Sequence, residues 1–342
     1  FNNTTTELNS QIKKSQLAGF FRQLQQLLQQ PDQSGQQQHL AALLTHQQRD
    51  TAYFEHAFLA NYLDIALVHG ADLMFKSGKL WLKTLSGLQP VQSVLRYLDD
   101  KDCDPLELAA GTSGCAGLLQ GIRQGQLFCA NPPGAAILES GALLPFMAQA
   151  CQFLLAEPLQ LASVNALWCG QRDTLNQLQL QPENYCIQHI ASDRQFVLHQ
   201  LNNEELAACW QQVKQHPQAY IAKAILPLSQ LPCRTVTGNS ELQAGALRLF
   251  SLLDHQHTIS VLPGALGRTD RDPLALQTPL QQGFNQQINA RDVWVLAEKN
   301  HSNSLLQSAS NTISLSRQAG LLSSRVADHL FWLGRYNERL NL

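Results

Sequence analysis

Apolar runs of strand length and stretches with helical period follow one another along the whole chain, and neither type ever dominates. Residues 8–29 repeat apolar side chains at helical spacing (Leu8, Ile12, Leu17, Phe20, Phe21, Leu24, Leu27, Leu28) until Pro31 and the run QPDQSGQQQ end the pattern. Helical period returns at 51–63, 115–123, 141–156 and 203–214. Between these lie IALVHG (65–70), KLWLKTL (79–85) after a Ser-Gly turn, and VQSVLRYL (91–98), all of strand length. Further strands are expected at 185–190, 219–226, 246–252, 257–262 and 293–297. Such interleaving predicts a mixed α/β fold rather than an all-helical or all-strand one.

Charge excludes some partners. A formal net charge of −2 over 342 residues gives no field that would gather nucleic acid or an anionic membrane. No apolar run reaches the roughly 18 residues of a bilayer span. The start FNNTTTELN has neither Met nor a signal-peptide pattern, and suggests an internal piece of a longer protein. Eight dispersed cysteines without a CxxC pair read as buried free thiols, which suits the cytoplasm.

The chain is only 15% charged, yet RYLDDKDCDPLEL (96–108) gathers Asp99, Asp100, Asp102, Asp104 and Glu107. Carboxylates this dense need a cation or hydrogen-bond donors between them. They could hold a hard cation, or Asp104 could cap a short turn begun by Pro105; the residues by themselves favour the turn. Two glycine-bearing stretches, GTSGCAG (111–117) and ANPPGAA (130–136), match no standard nucleotide loop and read as ordinary turns. His255 and His257 in LLDHQHTI fit a hairpin loop better than a zinc site. Cys169 after Trp168 reads as structural. Arginines within apolar strands or at turns, namely Arg248, Arg268 and Arg291, are costly to bury unless they meet an anion.

Residues 71–146, which include GKLWLKTLSGLQPVQSVLRYLDDKDCDPLEL and GLLQGIRQGQLFCANPPGAAILES, resemble the circularly permuted ATP-grasp proteins. YFEHAFLANYL (53–63), SVNALWCG (163–170), ALRLF (246–250), VLPGALGR (261–268) and ARDVWVL (290–296) match further blocks in order. The tail SRVADHLFWLGRYNERLNL (324–342) resembles the opening of an alpha-E domain. The resemblance implies a circularly permuted ATP-grasp-like α/β fold with mixed sheets flanked by helices and a C-terminal helical segment. It implies four parts: a helix and Gln-rich linker (1–35), the ATP-grasp-like domain (36–299), a linker (300–320) and the first alpha-E helix (321–342).

The activity implied is an ATP- and Mg²⁺-dependent carboxylate–amine ligase that forms peptide or amide bonds on a small-molecule or peptide substrate. Alpha-E and transglutaminase-like proteins are the implied partners; nucleic acid and membrane are not. Carried onto this sequence, Glu55, His56, Arg96, Asp99, Asp104, Glu107 and Asn131 fall on the substrate side. Their acids would bind a substrate amine or fix Arg96 rather than ligate a metal. Gln188, Arg248, Arg268, Arg291 and Asp292 fall on the nucleotide side, with Arg248 and Arg268 the catalytic cations. The family's phosphate-contacting Lys is replaced by Gln188 in YCIQHIAS (185–192), Arg291 stands for a Lys, and the glycine-rich loop becomes QQGFNQQIN (281–289). The family's N-terminal block, expected to carry Mg²⁺ ligands, should lie upstream of Phe1. A second implication therefore stays open: a non-catalytic homologue that binds a peptide or scaffolds a partner.

Overall fold

The structure is a computed structural model and describes residues 15–29, 40–46, 52–108, 114–192, 194–234, 238–277, 289–297 and 322–340. The expected helical residues 8–14, the Gln-rich run, residues 111–113, most of the altered glycine loop and the linker at 300–314 lie outside these.

The chain begins with α1 (Ala18–Leu28), β1 (Leu40–Thr45), α2 (Tyr53–Leu63) and β2 (Ala66–Val68). β3 (Leu73–Lys76), β4 (Lys79–Thr84), β5 (Gly87–Tyr97), α3 (Leu118–Arg123) and β6 (Phe128–Ala130) come next. Then come α4 (Ala136–Glu139), α5 (Met147–Leu155), β7 (Ala166–Trp168), α6 (Thr174–Leu180), β8 (Tyr185–His189), β9 (Gln195–Val197), α7 (Asn203–Gln215) and β10 (Tyr220–Ala224). β11 (Gln230–Arg234), β12 (Ser240–Arg248), β13 (Ser251–Leu253), β14 (Ile259–Val261), β15 (Gly264–Asp270), β16 (Asn289–Trp294) and α8 (Ser324–Leu340) complete it. Two compact units result, one of Phe1–Ala135, Leu249–Ala265 and Val293–Leu342, the other of Ala136–Arg248 and Leu266–Asp292.

The first unit is built on a sheet ordered β2-β1-β5-β4-β3, with β6 also paired to β5. β1 runs parallel to both β2 and β5, and β6 runs parallel to β5. A parallel strand covered on both sides needs apolar residues at every position. LAALLT meets this demand: Ala42 and Leu44 join one core cluster with Leu80, Leu82 and Val94. Ala41 and Leu43 join another with Leu28, Leu63 and Leu95. Each buried leucine contributes about 1.5–3 kcal/mol. β3 and β4 form a hairpin across Ser77 and Gly78, both at positive φ, as a two-residue turn of the favoured hand requires.

The second unit holds the antiparallel sheet β7-β10-β8-β9. One side of it packs Tyr185, Ile187, Tyr220 and Ala222 against Leu178 of α6 and Cys209 and Val213 of α7. Helix α7 begins with a reciprocal cap: Asn202 Oδ1 accepts from Glu205 N at 2.9 Å, and Glu205 Oε2 accepts from Asn202 N at 3.0 Å. A separate sheet runs β11-β12-β15-β16.

Four sequence expectations need correction. The strand expected at 246–252 is two strands, β12 and β13, interrupted at Leu249 and Phe250. The turn expected at VLPGALGR (261–268) gives way from Gly264 onward to β15, paired to β12. The strand expected at 293–297 ends at Trp294. The helix expected at 141–156 is a 3-10 helix over Gly141–Phe146 that continues into α5, because Pro145 lacks the N–H that an α-helix would use.

Helix α8 is fastened at its first turn. Ser323 bridges Thr84, Leu85 N donates to Leu322 O at 3.4 Å, and Arg325 makes a bidentate pair with Asp72 at 2.8 and 2.9 Å. Farther along, Leu330, Phe331, Trp332, Leu333, Tyr336 and Leu340 are exposed. No helix among the described residues is long and apolar enough to cross a membrane. All eight cysteines are free; Cys151 is half-buried and the other seven are buried.

Candidate functional site

In the first unit the polar residues collect at the carboxyl ends of the parallel strands. Between β1 and β5 the sheet turns from one crossover direction to the other, and such a switch point leaves a crevice at the strand ends. His46 follows β1, His69 follows β2, the acidic stretch follows β5 and Asn131 follows β6.

Arg96, buried near the end of β5, uses its whole guanidinium on this rim. Nε donates to Asn131 O at 2.6 Å, Nη2 donates to Pro132 O at 3.2 Å and forms an ion pair with Asp100 Oδ1 at 2.8 Å, and Nη1 donates to Leu98 O. Asn131, at φ 59°, returns a bond from Nδ2 to Arg96 O at 3.3 Å. Asp100 Oδ2 accepts from Gly134 N at 2.9 Å. The carboxylate that fixes Arg96 is thus Asp100, and the pair ties the 130–134 turn to the acidic stretch.

The other acids divide by role. Asp104 is fully buried; Oδ1 accepts from Leu106 N at 3.0 Å and Oδ2 from Leu119 N at 3.1 Å. It caps the turn begun by Pro105 and leaves no surface for a substrate. Glu107 pairs with Arg123 at 2.6 Å, and the exposed Asp99 lies 3.5 Å from Lys101. Gly114 packs on the same turn: a Cβ there would lie 2.1 Å from Cys103 O and 2.2 Å from Asp102 O.

His46, Asp99 and Asp102 each offer a ligand atom, all within 4.8 Å of one another. One imidazole and two carboxylates can hold a divalent cation, and His46 was invisible to motif reading because only the β1–β5 register brings it to Asp99. His56 turns inward from α2 and meets Thr45 Oγ1 through Nδ1 at 2.7 Å, its ring 4.5 Å from that of Tyr97. Its neighbour Glu55 is exposed.

His69 and Asp72 form a second polar knot beneath α8. Burial and the nearby Arg325 hold His69 below its ordinary pKa, while Asp72 opposes them. Asp72 is itself held low: burial pushes its carboxyl up, but the hydrogen bonds from Arg325 and from His69 N outweigh that. Elsewhere, Asp254 Oδ1 accepts from Gln256 N and Thr258 N, so DHQH is the loop of the β13–β14 hairpin. Burial pushes the Cys169 thiol up to about 12, which excludes a ready nucleophile.

The nucleotide-side candidates fall in the second unit. Ala246 of β12 stands opposite Arg268 of β15, so Arg248, two residues on, shares a face with Arg268. Arg268 is half-buried, and its Nε is enclosed without a hydrogen-bond partner among the described residues. Arg248 and Arg291 are exposed, which corrects the expectation that they are buried within apolar strands. Arg291 and Asp292 lie on β16, beside β15, and point to opposite sides of that strand. Gln188 lies on β8 of the other sheet, half-buried and opposite Ile221 and Gln195.

Comparison with known proteins bears on these residues. An uncharacterized protein of Synechocystis is 30% identical over 278 residues, covering 75% of this chain and 54% of that one. An uncharacterized protein of Mycobacterium tuberculosis is 28% identical over 296 residues, covering 84% and 32%. The chain thus spans about half the length, or less, of these relatives. A solved structure, the D-alanyl-alanine synthetase A of Vibrio cholerae, aligns at a TM-score of 0.38 and 8% identity over 77% of this chain and 76% of that one; at that level it carries no argument. Residues 322–341 match an alpha-helical domain described by a conserved ER motif, here Glu338-Arg339. Residues 1–269 match the family described as circularly permuted ATP-grasp type 2, and the chain belongs to that family.

Proposed function

We propose that this chain is part of an ATP- and Mg²⁺-dependent carboxylate–amine ligase. The observation that supports it most is the shared face of Arg248 and Arg268, with a buried Arg268 Nε that has no acceptor among the described residues. A guanidinium in that state is satisfied by an oxyanion. The bound nucleotide would supply a phosphoryl group to activate the substrate carboxylate. Arg248 and Arg268 would hold phosphate oxygens and offset charge as it develops. Among the described residues of the first unit, His46, Asp99 and Asp102 could hold a divalent cation, the two carboxylates offering the oxygen donors that Mg²⁺ takes. Arg96 with Asp100, and Asn131, would position the turns of the substrate side rather than touch the substrate. Free thiols throughout fit work in a reducing compartment such as the cytoplasm.

Calorimetry of the whole protein with Mg-ATP tests this reading. Binding that weakens at least about tenfold in Arg268→Met supports it; no detectable heat with the wild type overturns it. One observation favours the second reading, a non-catalytic homologue that binds a peptide or scaffolds a partner. Gln188 is neutral where the resemblance places a phosphate-contacting lysine.

A further inference from the structure

The sheet β7-β10-β8-β9 has one side in the core and another with a different character. Directly opposite residues share a side, and so do residues two apart. Cys186 stands opposite Lys223 and Val197, and Gln188 opposite Ile221 and Gln195. Cys186, Gln188, Gln195, Ile221 and Lys223 therefore project together, away from the core that holds Ile187 and Ala222. Much of this side is apolar: Ile221 is fully buried, and Cys186 and Ala166 are buried.

Two nitrogen donors stand out there. Lys223 is half-buried, and no hydrogen bond or ion pair reaches its ammonium among the described residues. Burial lowers its pKa, and the neighbouring Cys186 thiol, itself pushed up by burial, gives it no anion. Gln195 Nε2 is enclosed with no acceptor among the described residues, while its Oε1 takes a weak bond from Cys186 Sγ at 3.7 Å. A cation and an amide N–H set in apolar surroundings without acceptors are costly. Gly141 passes over the same side so closely that a Cβ would lie 2.6 Å from Ile221 Cδ1 and 3.4 Å from Gln188 Oε1. Backbone thus roofs one edge of the donor group.

We propose that Lys223, with Gln188 and Gln195, forms an oxyanion site on this side of the sheet, and that its ligand is a phosphoryl group of the bound nucleotide. Lys223 is a diagonal neighbour of Gln188, and a lysine reaches across the ~7 Å between such positions. The positive charge missing from β8 is then supplied by β10, one strand away. The identity of the ligand rests on the ligase reading; the oxyanion site does not.

The test titrates the whole protein with Mg-ATP and, separately, with inorganic pyrophosphate. Wild type, Lys223→Met, Lys223→Arg and Gln195→Leu are compared. Lys223→Met is expected to weaken both ligands about tenfold or more, Lys223→Arg much less. Because the methionine removes a desolvated charge, its melting temperature is expected to stay level or rise, so lost binding is not lost folding. Wild-type binding of Mg-ATP with unchanged affinity in Lys223→Met overturns this inference and leaves the ligase reading standing. Pyrophosphate binding that depends on Lys223, without any Mg-ATP binding, supports the oxyanion site and overturns the ligase reading. If neither ligand binds the wild type, both fall.

Discussion

Asp104 shows how much a single carboxylate decides. Its two oxygens stop two separate turns, one at Leu106 and one at Leu119, from deep within the first unit. Asp104→Ala strands both N–H groups and is expected to cost on the order of 3 kcal/mol, read as a lower urea midpoint at unchanged slope. Asp99→Ala, at an exposed site, is expected to shift the midpoint very little. Equal effects of the two would contradict the roles assigned to them. The bond to Leu119 N, 15 residues on, was not legible in the sequence; the bond to Leu106 N was, because Asp104 before Pro105 fits turn chemistry that needs only near neighbours. The partner of Arg96 was less so: the i,i+4 acid, Asp100, has to be chosen among several by the path of the chain after β5.

Among the elements, α8 is the clearest case of long-range dependence. The pair Arg325–Asp72 joins residues 253 positions apart, and no local pattern announces it. Asp72 is held below its ordinary value of 3.8 in the folded chain, so its contribution is complete above that pH and is lost as the pH falls through the lower folded value. His69 is held below 6.5, so the unfolded chain takes up a proton first, and stability also declines as the pH drops below 6.5. Both groups make the fold less stable in acid than at neutral pH. In Arg325→Met the cation beside His69 is gone, and the His69 pKa is expected to rise in an NMR titration. Amide exchange in the first turn of α8 should quicken in the same variant. An unchanged His69 titration would show that the ion pair does not act on that ring.

At the scale of the molecule, the class of fold was readable and its wiring was not. Interleaved periods implied mixed α/β, and most expected elements appear within a few residues of their places. LAALLT escaped notice since a strand buried on both sides has no alternation to read, only a short apolar run. VLPGALGR reads as a turn, yet from Gly264 onward it is a strand; a Cβ on Gly264 would press on Leu17 at 3.0 Å, so its small size serves packing. The grouping of Lys223, Gln188 and Gln195 exists only once β8, β9 and β10 are in register. Residue types suggested the chemistry; the register assembled it.

The sequestered sulfur atoms turn the molecule into its own recorder of breathing motions. Burial pushes the thiols of Cys115 and Cys129 in the first unit, and Cys169 in the second, up to about 12, so at pH 8 each is protonated as well as hidden. An alkylating reagent can mark them only in moments when the surrounding chain opens. Mass spectrometry after brief iodoacetamide exposure should find Cys151 marked first. The later marks would then date, unit by unit, how often each interior comes apart; Cys115 or Cys129 marked as fast as Cys151 would mean these interiors are not closed.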